Sequence, residues 1–187
     1  MSQRLTFATD LLSGISMLGF FKRNKPSVAD ALVNQTIGGQ SVLYRLFLEA
    51  VGCEDSSIRR LELTYLAASV MTYVYLRIGK QSNRDEILDG FAKKILLKSI
   101  PSSRESISFN EAVSQYQRRF AEYTSMMNLL FSPGESSSSN PAAILLMHAF
   151  ECITNSSARS HMIQIIAASG LIQQFIADHI DFVKEKL

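Results

Sequence analysis

Seven bulky side chains, Phe109, Val113, Tyr116, Phe120, Tyr123, Met127 and Leu130, recur at alternating spacings of four and three residues. A chain that turns once every ~3.6 residues lines them up along one side of a helix, whereas a strand, alternating every second residue, would scatter them over both faces. The stretch therefore predicts a long amphipathic helix whose apolar stripe needs other elements to cover it. Ser108 and Glu111 stand at capping-box spacing just ahead of it. The same four-three repeat is the seam of a coiled coil. It lasts only about three heptads, and its Tyr-rich composition favours an intramolecular core over a dimer seam.

Most of the remaining chain has the same period. Residues 58–78 form a second long candidate with apolar side chains around much of its circumference, the pattern of a central buried helix. Ser82 and Asp85 open a helix over 82–98, and Asn140-Pro141 is a cap and first-turn signal for one through 153. A final helical stretch covers 158–186, with Gly170 as a kink or a point of close approach. Gly38-Gly39 is expected to divide 27–51 into two short helices joined at a hinge. The expected fold is all-α and without a sheet, an orthogonal or irregular bundle of about seven to nine helices. Residues 1–187 form one domain in this reading, with a mobile Ser-rich loop at 132–141, "SPGESSSSNP".

The opening run "LTFATDLLSGISMLGFFKRNKP" tests the reading. Asp10 interrupts it too early for a secretory signal, and its charge-free part is about half the ~20 residues needed to span a bilayer. As a helix, residues 5–18 gather Leu5, Phe7, Leu11, Leu12, Ile15 and Leu18 on one arc and Thr, Ser and Asp on the other. Lipid-surface helices carry Lys and Arg on the polar face. Here the basic residues Lys22, Arg23 and Lys25 come after the helix, where they complement its dipole before Pro26. Core packing is favoured, partner docking comes next, and peripheral membrane contact is the least favoured.

Composition excludes more than it assigns. Nineteen Lys and Arg against 17 Asp and Glu give a formal charge of +2, too balanced to announce nucleic acid. The basic groups Arg59-Arg60, Lys93-Lys94 and Arg118-Arg119 have acidic neighbours for the most part and read as solvated faces. Cys53 and Cys152 show no CxxC or Cys/His spacing, which points to reduced thiols and a cytoplasmic setting. His148 and Glu151 share a helix face, but His161 and His179 would stand about 27 Å apart along a straight helix, too far for one ion. No metal site, cofactor or catalytic residue is expected, and no nucleotide or nucleophile motif is present.

What remains is a non-catalytic helical interaction or adaptor module that binds a protein partner or a second copy of itself, a homodimer being favoured. The expected contact residues are Leu11, Ile15, Leu18, Phe20 and Phe21 on the N-terminal helix, and Tyr116, Phe120, Tyr123 and Met127 on the heptad helix. The alternative is a small-molecule-binding protein or motif-less helical enzyme. Its polar pocket would lie near His148 and Glu151 or near Arg118 and Arg119, which would contact an anion or other ligand.

Overall fold

A computed structural model of the chain describes residues 27–45, 47, 56–100, 107–131 and 140–187. The described residues form six α-helices and no strand: α1 (Val28–Arg45), α2 (Ser57–Ile78), α3 (Arg84–Ser99), α4 (Phe109–Phe131), α5 (Pro141–Thr154) and α6 (Met162–Lys186). A single 3-10 turn, Ala158–His161, leads into α6. The all-helical expectation holds. The N-terminal helix expected at 5–18, Cys53 and residues 132–139 of the Ser-rich loop lie outside the described residues.

The helix ends follow the chemistry of the sequence. The Ser27 hydroxyl accepts from Asp30 N at 3.2 Å while the Asp30 carboxylate accepts from Ser27 N at 3.3 Å, so each residue's side chain satisfies the other's amide. Ser108 accepts from Glu111 N at the head of α4, and Asn140 accepts from Ala142 N and Ala143 N ahead of Pro141. Asn155 closes α5 in the left-handed region at φ 53°, a conformation asparagine tolerates. The starts of α3 and α6 carry no side-chain cap, and α3 also departs in position. It begins at Arg84, after Asn83, rather than at Ser82.

α2 is the axis of the fold. Every residue from Leu61 to Tyr75 is buried, and α1, α3, α4, α5 and α6 all pack against it. Two of its threonines are carried inward with partners: the Thr72 and Tyr116 hydroxyls share a hydrogen bond of 2.7 Å, and Thr64 accepts from Gln40 Nε2 at 2.8 Å. The heptad stripe of α4 serves this core. Tyr116, Tyr123 and Met127 are buried within it, and Phe109, Val113, Phe120 and Leu130 pack half-buried at its edge. The seam expected to choose between core and dimer is thus occupied inside the chain.

One expectation is overturned. Gly38-Gly39 does not break the chain into two helices, because α1 runs without interruption from Val28 to Arg45. The packing explains why a glycine stands there. A Cβ on Gly39 would lie 2.8 Å from Phe175 Cε2 and 3.1 Å from His179 Cε1, so its bare backbone lets α1 come down onto α6. Gly38 points into open space. The two positions should separate on substitution. Gly38→Ala is expected to raise unfolding free energy by about 0.5–1 kcal/mol through helix propensity, and Gly39→Val to lower it by about 1–3 kcal/mol through overpacking. Urea denaturation reads both, and equal responses would remove the close-approach explanation. Gly170 is likewise no point of close contact within the chain: α6 continues through it, with nothing within 4 Å of its would-be Cβ. No helix among the described residues is long and apolar enough to cross a membrane.

Candidate functional site

Polar side chains converge where α2, α4 and α5 meet. On α4, Arg119, Glu122 and Tyr123 are three to four residues apart and therefore share a face. On α5, His148 and Cys152 are one turn apart and look toward them. Glu62 comes from α2, on the buried stretch of that helix. The rigid frame of three packed helices, rather than any loop, holds the group together.

Arg119 is the hub. Its Nε donates to Glu62 Oε2 at 2.9 Å and its Nη2 to Glu62 Oε1 at 3.1 Å, a two-pronged pairing that uses the flat fork of the guanidinium. Its Nη1 reaches Glu122 Oε2 at 2.9 Å. The same Glu122 oxygen lies 3.1 Å from His148 Nε2, and that nitrogen is 3.6 Å from Cys152 Sγ. The ring of Tyr123 meets the edge of the His148 ring, with centroids 5.7 Å apart.

The electrostatics follow from this geometry. The carboxylate of Glu62 holds Arg119 firmly protonated against the burial that opposes its charge. For Glu122 burial alone would raise the pKa, but hydrogen bonds from Arg119 and His148 outweigh it, and the carboxyl sits below its usual range. Burial pushes the Cys152 thiol up, helped by Glu62 and Glu122, although Arg119 pulls the other way. Burial also raises Tyr123 well above an ordinary phenol, with Cys152 and Glu62 adding to the effect, so the hydroxyl stays a donor.

These facts bear on what the cluster can do. A cysteine nucleophile needs a depressed pKa and a base whose free nitrogen faces the sulfur while a third group orients the other nitrogen. Here the thiol is shifted upward and one nitrogen, Nε2, faces both the sulfur and the carboxylate. The arrangement is not that of a thiol hydrolase. It is instead a set of three different ligating groups: a Glu122 oxygen, a His148 nitrogen and the Cys152 sulfur all lie within 4.8 Å of one another.

The residues singled out from sequence are distributed unevenly over this picture. Arg119 and His148 are in the cluster; Arg118 is exposed on the outer side of α4. Glu151, expected to share a pocket with His148, turns away and its carboxylate accepts from Ala158 N at 3.2 Å at the head of the 3-10 turn. His161 stacks on Phe150 with ring centroids 4.9 Å apart, and His179 is buried beside Phe175. Leu11, Ile15, Leu18, Phe20 and Phe21 lie outside the described residues. Tyr116, Tyr123 and Met127 point into the core, while Phe120 lines a groove of about 450 Å³ between α3 and α4.

The three-residue spacing of Arg119 and Glu122 pairs them in the sequence as the structure does. Sequence reasoning missed that Glu122 and Cys152 join His148: the signal for Cys152 was its four-residue spacing from His148, whereas Glu122 is 26 positions upstream of His148 and reaches it only through tertiary packing. No family model, curated protein or solved structure matches the chain.

Proposed function

We propose that this protein is a helical interaction module that assembles with a second copy of itself through the first half of α6. The observation that carries the reading is the exposed apolar face there: Ile163 is 83% exposed, and Met162, Ile166 and Leu171 are also open to solvent. Single exposed apolar residues are ordinary, but these four are clustered within three turns of one helix.

A second copy is the partner that the chemistry favours. From Met162 to Ala177 there is no charged residue. A two-fold contact sets a patch against itself, so like charges would repel across it, while an uncharged apolar face meets its own image without that cost. Ala167 and Gly170 lie on the same side and let a facing helix come close. The tyrosine-rich stripe of α4, turned into the core, supports the reading indirectly by stabilising the scaffold that presents α6.

Sedimentation velocity over a range of concentrations tests this. The wild-type chain should sediment as a dimer that dissociates on dilution. The double variant Ile163→Asp, Ile166→Asp should be monomeric at every concentration with its circular dichroism unchanged. A wild-type monomer throughout would end the self-assembly reading, and a variant that still dimerises would move the contact away from α6.

A further inference from the structure

We propose that Glu122, His148 and Cys152 form a binding site for a divalent cation of the zinc class. Carboxylate, imidazole and thiolate are the three side-chain ligands zinc uses, and a thiolate in the set selects against magnesium and calcium, which take oxygen. A tetrahedral zinc ion, with bonds of about 2.3 Å to sulfur and about 2.0 Å to nitrogen or oxygen, holds its ligand atoms roughly 3.3–3.6 Å apart. His148 Nε2 is 3.6 Å from Cys152 Sγ and 3.1 Å from Glu122 Oε2. These two edges match a tetrahedron to within a few tenths of an ångström, and the third, from a Glu122 oxygen to Cys152 Sγ, is no longer than 4.8 Å.

A second observation concerns the sulfur's surroundings. The Tyr123 hydroxyl is fully buried, and the polar group it meets is the Cys152 thiol. It lies beside Cys152, close enough for each group to affect the other's ionisation. A neutral thiol is a poor acceptor, but a metal-bound thiolate is a good one. Binding a cation thus makes the sulfur beside this O–H a stronger acceptor, in the way that groups around a metal commonly hold its ligands.

Charge points the same way. Arg119 is matched by Glu62 through both prongs, which leaves Glu122 as a surplus carboxylate. When Cys152 gives up its proton the cluster carries two negative charges, and a dication neutralises both. The thiol proton is released to solvent, and neutral His148 binds through the Nε2 lone pair with its remaining proton on Nδ1. Glu122 Oε2 both accepts from Arg119 Nη1 and faces His148, and its two lone pairs can serve Arg119 and the ion together. The ligands are reachable, since the His148 and Glu122 side chains are 27% and 32% exposed. A water molecule completes the fourth position.

Cobalt(II) titration of the reduced full-length chain tests the site, because cobalt occupies zinc sites and reports its ligands by colour. The expected result is intense ligand-field absorption of a tetrahedral ion together with a thiolate-to-cobalt charge-transfer band, both erased by zinc. Cys152→Ser should abolish the charge-transfer band with helicity unchanged, and Cys53→Ser should retain it. His148→Gln and Glu122→Gln should each weaken zinc binding by roughly ten-fold or more, and zinc affinity should fall as pH is lowered and the thiol keeps its proton. The wild-type spectrum decides even if a variant fails to fold. No charge-transfer band in the wild-type chain, a band that survives Cys152→Ser, or zinc affinity indifferent to His148 and Glu122 would each overturn the proposal.

Discussion

Arg119→Ala should cost about 2–3 kcal/mol of folding free energy, read from urea denaturation at neutral pH. Removing the guanidinium leaves Glu62 as a carboxylate that is only 12% exposed, with its partner of two hydrogen bonds gone. An unpaired buried charge costs about 3–5 kcal/mol, and the remaining exposure of Glu62 places this case at the low end or just under it. Glu122 is more exposed and can turn toward water. The informative comparison is the double variant Glu62→Gln, Arg119→Met. It removes both charges and should recover most of the loss, to within about 1 kcal/mol of wild type, because a buried ion pair contributes little beyond what apolar packing would. If the double variant is as unstable as Arg119→Ala, the damage comes from lost packing of the arginine stem and not from a stranded carboxylate.

Acidification should destabilise the fold through His179. This histidine is fully buried; its Nδ1–H donates to Phe175 O at 2.8 Å, and its Nε2 has no partner. Burial lowers its pKa from 6.5 to about 4, although the Phe175 carbonyl and the neighbouring Asp178 both work in the opposite direction. The unfolded chain therefore takes up a proton that the folded chain refuses. The contribution is fully present above about pH 6.5, is lost progressively between about pH 6.5 and 4, and amounts to roughly 3 kcal/mol over that span. The expected measurement is a stability-against-pH curve that falls over this range in wild type and is flatter by that amount in His179→Leu. Parallel curves would mean that His179 titrates alike in both states.

Much of the fold was legible because helices announce themselves locally. The four-three stripe of α4, the Ser108 cap and the Asn140-Pro141 start are written within a few residues of where they act, and each is found in place. The all-round apolar character of 58–78 likewise foretold that α2 would be enclosed. Gly38-Gly39 misled for a physical reason. Glycine is a helix breaker on propensity, but propensity is worth about 1 kcal/mol, and the packing of α1 on α6 through Gly39 outweighs it.

The site was less legible. Arg119 and His148 drew notice as residue types, yet nothing near them in sequence points to Glu62, which is 57 positions from Arg119. The expectation of no metal ligation was argued from the separation of His161 and His179, which do lie apart. It also set Cys152 aside for want of a Cys/His spacing, although His148 is one helical turn away. Sites assembled across helices are set by crossing geometry, and a one-dimensional pattern carries that only faintly.

The enclosure of α2 has a further consequence during synthesis. It leaves the ribosome before α3, α4, α5 and α6 exist, so the side chains from Leu61 to Tyr75 stay wet until their covers are made. A nascent chain halted anywhere before α6 carries an uncovered greasy rod, a natural ligand for holdase chaperones, and trimming the gene to fewer helices should yield inclusion bodies rather than a smaller folded unit.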